Sequence, residues 1–578
     1  MLASTVPLLA AVLAASPVQT LSKQYLDGLF RARPHLATYM GVHTEDGRMM
    51  DLDPPAITQR TRELNALAAQ VKKLDLAKLS TDDRADARIL ADGIALELLY
   101  LTDIREWAWD ARLEDSFPFY DPREYVASRL GELIHGTFAP ESQRAKWVAA
   151  QLRALPHHLS MKQSSLVTPE PVRLAQAVKD NKGRITFFET ELKAFTAKYP
   201  DAEKARVEAV KALESYQQFL ASFPADKATH DWRLGKELYD RKFPLALQTD
   251  VTPAQLQKAA QDEFDAARAK LYATARKLFA ELWPKDVAPA ENAPGPEQAK
   301  VIRRVLDEIS KNHPAADQFV QAHADKLAGL RTLIEEKKLL KLPPVDTLRV
   351  LPEPEYKRGG GGAEYLSPGM LSKSGTWHGT FYVEPIDPSW PPEKVESYLR
   401  ANDWYEITLT SAHEAYPGHH TQTWYARQRP NPLRSTLWSG AFAEGWAVYG
   451  TTLLVEQGLG GKENARYALR DLWGAMIVAS NALLDIKLQH GEMTDAEALR
   501  FMEEDGFQEK ALAEKKLLRA KLDSTQLCQY FLGLDEIRAL ERDVKARGKF
   551  EQRPFNEELV GHGTVPVKIL RAFFGLER

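Results

Sequence analysis

Along most of the chain, apolar residues recur every three or four positions on backgrounds rich in Ala, Leu, Lys and Glu, the pattern of amphipathic helices. The clearest stretches are "DDRADARILADGIALELLYLTDI" (82–104), "VEAVKALESYQQFLASF" (207–223) and "PAQLQKAAQDEFDAARAKLYATARKLFAELW" (253–283). Start signals agree: Ser80 or Thr81 precedes the first, and Thr252 with Pro253 opens the third. The pattern changes only over 345–386, where "TWHGTFYVEP" has the β-branched and aromatic content of a strand. Helical spacing returns in "PPEKVESYLRANDWYEITLTSAHEA" (391–415) and in "SGAFAEGWAVYGTTLLVEQG" (439–458). No fixed-period repeat is evident, which disfavours a solenoid. The expected fold is mostly α, a large multi-helix assembly with a small β element.

The stretch "PKDVAPAENAPGPEQAK" (284–300) is the most linker-like, being rich in Pro, Ala and Gly. It either separates an N-terminal helical region (21–290) from a C-terminal region (291–578) or forms a surface loop, and the two regions are expected to make one unit. Residues 1–20, "MLASTVPLLAAVLAASPVQT", carry no charge and hold an apolar run from Val6 to Ala15. This resembles a secretory signal, although the basic n-region is missing. A periplasmic or secreted location is the expectation, with a cytoplasmic one if the segment is a first helix. It contains no cysteine, so no lipid anchor is expected there.

With 578 residues, 44% hydrophobic and 27% charged, the composition is that of an ordinary globular protein. The net charge of −4 and the lack of a basic stripe argue against nucleic-acid binding. No apolar run is long enough to span a membrane. The single cysteine, Cys528, rules out an internal disulfide and a cysteine-based zinc site, and reads as a small buried hydrophobe. Gly359 to Gly362 lack the GK[ST] ending of a phosphate loop. No G-x-S-x-G elbow is found, which disfavours a serine hydrolase.

Chemistry concentrates in "SAHEAYPGHH" (411–420). The H-E-x-x-H helix of a zinc peptidase places two histidines four residues apart, about 40° around and about 6 Å along the axis. Here His413 and Glu414 are present, but Pro417 stands where the second histidine would be, and His419 and His420 come late. On a straight helix His419 would face away, and His420 would lie about 10.5 Å along the axis. Pro417 removes the N–H that would bond the carbonyl of His413, and Gly418 permits backbone angles that other residues avoid. Pro-Gly is therefore expected to bend the chain so that a late histidine returns to His413; otherwise it simply ends the helix. Glu444 sits among Ala443, Gly445, Trp446 and Ala447, where an acid is costly to bury unless paired or bound to a metal. The small neighbours also allow a second helix to approach closely. His378, beside Phe381 and Tyr382, lies on an expected edge strand that could pair with an extended peptide. His157, His158, His230, His313 and His323 lack acids at ligand spacing and read as structural or surface residues.

"HEAYPGHH" followed by "EGWAVY" resembles the signature of the DUF885 family, helical bacterial proteins related to gluzincin-type zinc metallopeptidases. Weaker matches are "ATYMGVHTEDGRMMDLDP" (37–54), "TQLCQYFLG" (525–533) and "GHGTVPVKIL" (561–570), so the resemblance spans nearly the whole chain. It implies a metallopeptidase-like fold with the β element beside an active cleft, and one zinc ion on His413, His419 and Glu444, with His420 as the alternative to His419. Glu414 would be the general base, and Tyr530 and His562 would stabilise the oxyanion. The family often has a second acid seven residues after the first; here that position is Thr451. The function implied is a zinc-dependent peptidase acting on peptides. The alternatives are a non-catalytic metal-binding scaffold and a hydrolase of a non-peptide amide.

Overall fold

The computed structural model of the protein describes residues 15–118, 122–287, 289–354, 362–373 and 377–576. The first fourteen residues of the export-signal reading, and Gly359 to Gly361 of the glycine loop, lie outside them. Helix α1 (Pro17–Ala32) begins inside the stretch read as a signal: Ser16 and Gln19 cap it reciprocally, and Val18 is buried. Helix α2 (Thr81–Leu99) starts from Ser80, whose hydroxyl accepts from the Asp83 N–H. A two-residue ladder, β1 (Glu114–Asp115) with β2 (Arg123–Glu124), follows, and is too short to leave a period-two signature. It leads into α3 (Ala127–His135), α4 (Glu141–Ser165) and α5 (Pro200–Ala221). Helix α6 (Pro253–Leu282) carries the capping box expected at Thr252.

The linker-like stretch is a loop tied back onto α6, where Arg276 donates to the Pro289 carbonyl at 2.9 Å, and helix resumes at Gly295. Beyond α7 (Phe319–Glu336) come β3 (Leu348–Pro352), β4 (Ala363–Leu366) and β5 (Gly379–Val383). Strand β5 is central, parallel to β3 and antiparallel to β4. Phe381 and Val383 of β5 pack with Phe319 and Ile407 in a small core under this sheet.

The stretch read as one helix over 391–415 is two, α8 (Pro392–Ala401) and α9 (Trp404–Glu414). Asp403 breaks it. Its carboxylate accepts from the N–H groups of Tyr405 and Glu406, both at 2.9 Å, and is clasped by buried Arg470. Then follow α10 (His419–Gln428), α11 (Gly440–Glu456), α12 (Asn464–Gln489), α13 (Gln529–Ala546) and α14 (Gln552–Gly561). The chain is mostly α, and among the described residues no helix is long and apolar enough to cross a membrane.

One hydrophobic cluster runs through both ends of the chain, with Tyr25 and Leu90 in contact with the same core as Leu271, Trp446, Leu483 and Phe531. A second is built by α3, α4 and α5 around Leu130, Leu152 and Leu213. Cys528 is buried in the first. Helices α11 and α13 cross with backbones nearly touching: a methyl on Gly533 would lie 1.8 Å from the Ala441 carbonyl oxygen, and one on Gly445 would lie 2.3 Å from the Gly533 carbonyl carbon. Backbone cannot yield as a side-chain tip can. Gly533→Ala is therefore expected to cost about 1–3 kcal/mol in chemical denaturation. Gly474→Ala, on α12 with open space around it, should be neutral or stabilise by about 0.5–1 kcal/mol.

Candidate metal centre

Helix α9 ends at Glu414 because the next turn cannot be completed. The Tyr416–Pro417 bond is cis, Pro417 has no N–H to give, and the Gly418 N–H returns to the Ala412 carbonyl at 3.0 Å. Gly418 is pressed against the end of its own helix: a Cβ there would stand 1.7 Å from the His413 carbonyl oxygen. The turn is also held from outside, since the Trp446 indole donates to the Pro417 carbonyl at 3.0 Å. Helix α10 then starts at His419. The break brings the His413 and His419 rings to a 4.8 Å centroid separation, nearly perpendicular.

Glu444, on α11, faces both rings. Its Oε2 lies 3.4 Å from His413 Nε2 and 3.6 Å from His419 Nε2, and one ligand atom from each of the three residues lies within 4.8 Å of the others. The glutamate side chain is 4% exposed, and Oε2 has no hydrogen-bond partner. A tetrahedral zinc ion with nitrogen and oxygen donors at about 2.0–2.2 Å sets neighbouring donors roughly 3.4 Å apart. The donor types, the Glu444 spacings and the orphaned, buried carboxylate oxygen all fit such an ion.

Burial raises the Glu444 carboxyl, but His419 and His413 outweigh it and hold it well below the usual carboxylate range. The reciprocal effect acts on His419, where burial disfavours the imidazolium but Glu444, Glu414 and a hydrogen bond that the ring donates to Gln422 push it up to about 9. Glu414 is raised, chiefly by burial and further by Glu444, against the pull of the two histidines. Its Oε2 accepts the Tyr365 N–H of β4 at 2.8 Å, which fixes the carboxylate beside the cluster.

His420 is turned away. Its Nε2 meets the Thr347 hydroxyl at 3.1 Å and its Nδ1 the Tyr365 hydroxyl at 3.3 Å, with Trp377 stacked on the ring. Burial, with Arg331 nearby, holds it down to about 3, a neutral core imidazole. Tyr530 shares the cleft with the cluster; burial and the Glu444 charge push its phenol up to about 12. His562 is not among the cleft-lining residues. Its Nε2 pairs with Glu558 at 2.8 Å and its ring stacks on Phe573 at 3.7 Å. Thr451 bonds its own helix at the Ala447 carbonyl, and Tyr449 donates to Glu541. His378 precedes the central strand and bonds the Asp346 carbonyl, so the edge facing the cleft is β4 instead.

The cleft has a volume of about 440 Å³, within the range of small-molecule sites. Its wall opposite the cluster comes from the N-terminal half: His35, Tyr39, Arg123, Arg129 and Glu132. Sequence reading missed these, because they are polar residues scattered over three short elements, the helix Pro34–Tyr39, β2 and α3, and periodicity does not show that these elements face the cluster. Arg129 organises the weak 37–54 match, binding the Thr38 hydroxyl and the carbonyls of Glu45 and Arg48. Gln422 was also missed, though its place one turn after His419 is a readable signal.

The chain belongs to the family described as "Bacterial protein of unknown function (DUF885)", matched over residues 34–573. A comparison with curated proteins finds no match. Among solved structures, one from Shewanella oneidensis described as "a putative lipoprotein of unknown function" is 26% identical, with a TM-score of 0.81, covering 97% of this chain and all of its own. Another, described as "the putative lipoprotein from Colwellia psychrerythraea", shares the fold at 16% identity, with a TM-score of 0.73 and coverage of 96% and 98%.

With His419 held protonated up to about pH 9 by Glu444, an ion entering the cluster must displace that proton. Titration with zinc at pH 7 in buffers of different ionisation enthalpy should show release of about one proton per ion. Alanine at His413, His419 or Glu444 should abolish binding, whereas His420→Ala should retain it and lower stability only.

Proposed function

We propose that the protein is a metal-dependent hydrolase, most consistent with a zinc peptidase, using His413, His419 and Glu444 to hold one zinc ion. The observation that carries this reading is the convergence of the three donors around an unpartnered, buried carboxylate oxygen, with a second carboxylate, Glu414, adjoining them. When bound, a zinc ion would act as a Lewis acid toward a carbonyl and lower the pKa of a bound water. An all N/O donor set also admits manganese or cobalt.

Glu414 is suited to accept and return a proton. Burial raises its carboxyl towards the working range of a general base, and the Tyr365 N–H keeps one oxygen in place while the other is available. Tyr530 keeps its proton through the neutral range and can donate it as a hydrogen bond to a developing oxyanion. His562 does not share this role in the proposal, because Glu558 and Phe573 engage its ring outside the cleft. Strand β4 runs along the cleft as a sheet edge, which supports an extended peptide as the substrate. The description of two structural neighbours as lipoproteins supports an extracytoplasmic location.

Metal analysis combined with cleavage of a mixed peptide library tests the proposal. Wild type and Glu414→Gln should each hold about one equivalent of zinc, with cleavage only by the wild type. Metal without cleavage in either would favour a binding protein, and cleavage of amides other than peptides would redirect the substrate class. Tyr530→Phe should bind zinc normally and lower kcat about 10²–10³-fold, the usual loss on removing one oxyanion donor.

A further inference from the structure

A second cavity, of about 290 Å³, lies on the far side of the His35–Asp115 pair from the metal cleft. His35 lines the cleft and Asp115 lines this second space, so the pair is a shared wall. Most of the charged groups around the cavity are already matched. Asp110 is clasped by Arg112 at 2.7 Å and Arg173 at 3.2 Å, Asp115 by Arg33 at 2.8 Å, and Glu114 by Arg112 at 2.5 Å. Arg60 is spent on Glu97, which it meets at 2.8 Å.

Exposed Arg31 at the rim is unpaired among the described residues; among the buried and half-buried lining groups two are left over, and they carry opposite charges. Lys162, on α4, is only 3% exposed, yet its ammonium makes no hydrogen bond or ion pair among the described residues. Glu106, half-buried at the start of the short helix Glu106–Trp109, has a carboxylate in the same position. Burial pushes the Lys162 ammonium down, against Asp110 and Glu106, which stabilise its charge, but Lys162 and Glu106 do not pair. An ammonium on so buried a side chain is costly to leave without an acceptor, so Lys162 is suited to anchor an anionic group that enters the cavity. A plain anion would satisfy Lys162 but meet the carboxylates of Glu106, Asp110 and Glu114; a plain cation would meet Lys162 and the arginines. Only a molecule with both charges suits both groups. Leu52, Ile57 and Trp107 supply an apolar side.

We propose that this cavity binds a small zwitterion with an apolar side chain, a free amino acid or a dipeptide, its carboxylate on Lys162 and its ammonium on Glu106. The site is separate from the metal cluster and does not depend on the peptidase reading.

Calorimetric titration of the full-length protein with leucine, N-acetyl-leucine and leucinamide tests it, with leucyl-leucine titrated into the Glu414→Gln variant so that the probe is not consumed. The zwitterions should bind, and the two blocked forms should bind at least about tenfold more weakly, each having lost one charge-assisted hydrogen bond. The stronger of leucine and leucyl-leucine fixes the ligand length. Lys162→Met, checked for folding by its thermal transition, should lose at least about tenfold in affinity for leucine and keep its zinc. His413→Ala should bind leucine unchanged. Absence of heat with every probe, equal binding of the blocked forms, or unchanged affinity in a folded Lys162→Met protein would overturn the proposal, as would loss of leucine binding in His413→Ala alone.

Discussion

The carboxylate of Glu444 is buried with one oxygen unpartnered, and much of the C-terminal half is arranged around that fact. A charge taken out of water must be compensated at close range. Two imidazoles from different helices, at 3.4 and 3.6 Å, are the groups that face it. They stand too far for good hydrogen bonds and at the right separation for an ion between them. Glu414, Tyr365 and Tyr530 take their places relative to this centre: the first held by a strand N–H, the last feeling the Glu444 charge directly.

Two close backbone approaches make the arrangement reproducible. At the end of α9, Gly418 folds onto the His413 carbonyl and lets His419 return to the cluster, while the Trp446 indole holds the turn by the Pro417 carbonyl. At the crossing of α11 and α13, Gly445 and Gly533 remove the side chains that would keep the helices apart. Gly445 adjoins Glu444, and Gly533 lies one turn from Tyr530, so the contact that fixes the crossing also fixes the distance between acid and phenol. Indole, proline and the paired glycines thus connect packing to chemistry through rigid backbone rather than mobile side chains.

The cleft itself belongs to both halves of the chain. The C-terminal helices bring the donors, β4 brings a sheet edge, and the N-terminal segments around Arg123 and α3 close the opposite side. A continuous hydrophobic core linking α1 and α2 to α11 through α13 holds the two walls in register. The buried ion pairs between Arg33, Glu97 and Asp115 stiffen the partition behind that wall.

What the sequence determined by itself is what local rules govern. The long helices, the Ser80 and Thr252 caps and the β character near 379–383 follow from periodicity and capping chemistry over a few residues. The cluster residues were legible as chemistry because three histidines, two glutamates and a Pro-Gly pair sit in two short segments. Tertiary structure decided what depends on direction. His419 and His420 are neighbours in sequence with the same side chain, and only the path of the chain after Pro417 sends one to Glu444 and the other to Thr347 and Tyr365. His562 carries a motif-like context but is engaged by Glu558 and Phe573, which no spacing reveals. The break at Asp403 depends on Arg470, far along the chain, to hold a capping carboxylate under helix α9. Arg123, Glu132 and Lys162 sit in segments whose local pattern is unremarkable, and they acquire meaning from what a distant part of the chain places opposite them. Periodicity reports which face of an element is buried; it carries no information about which buried groups meet.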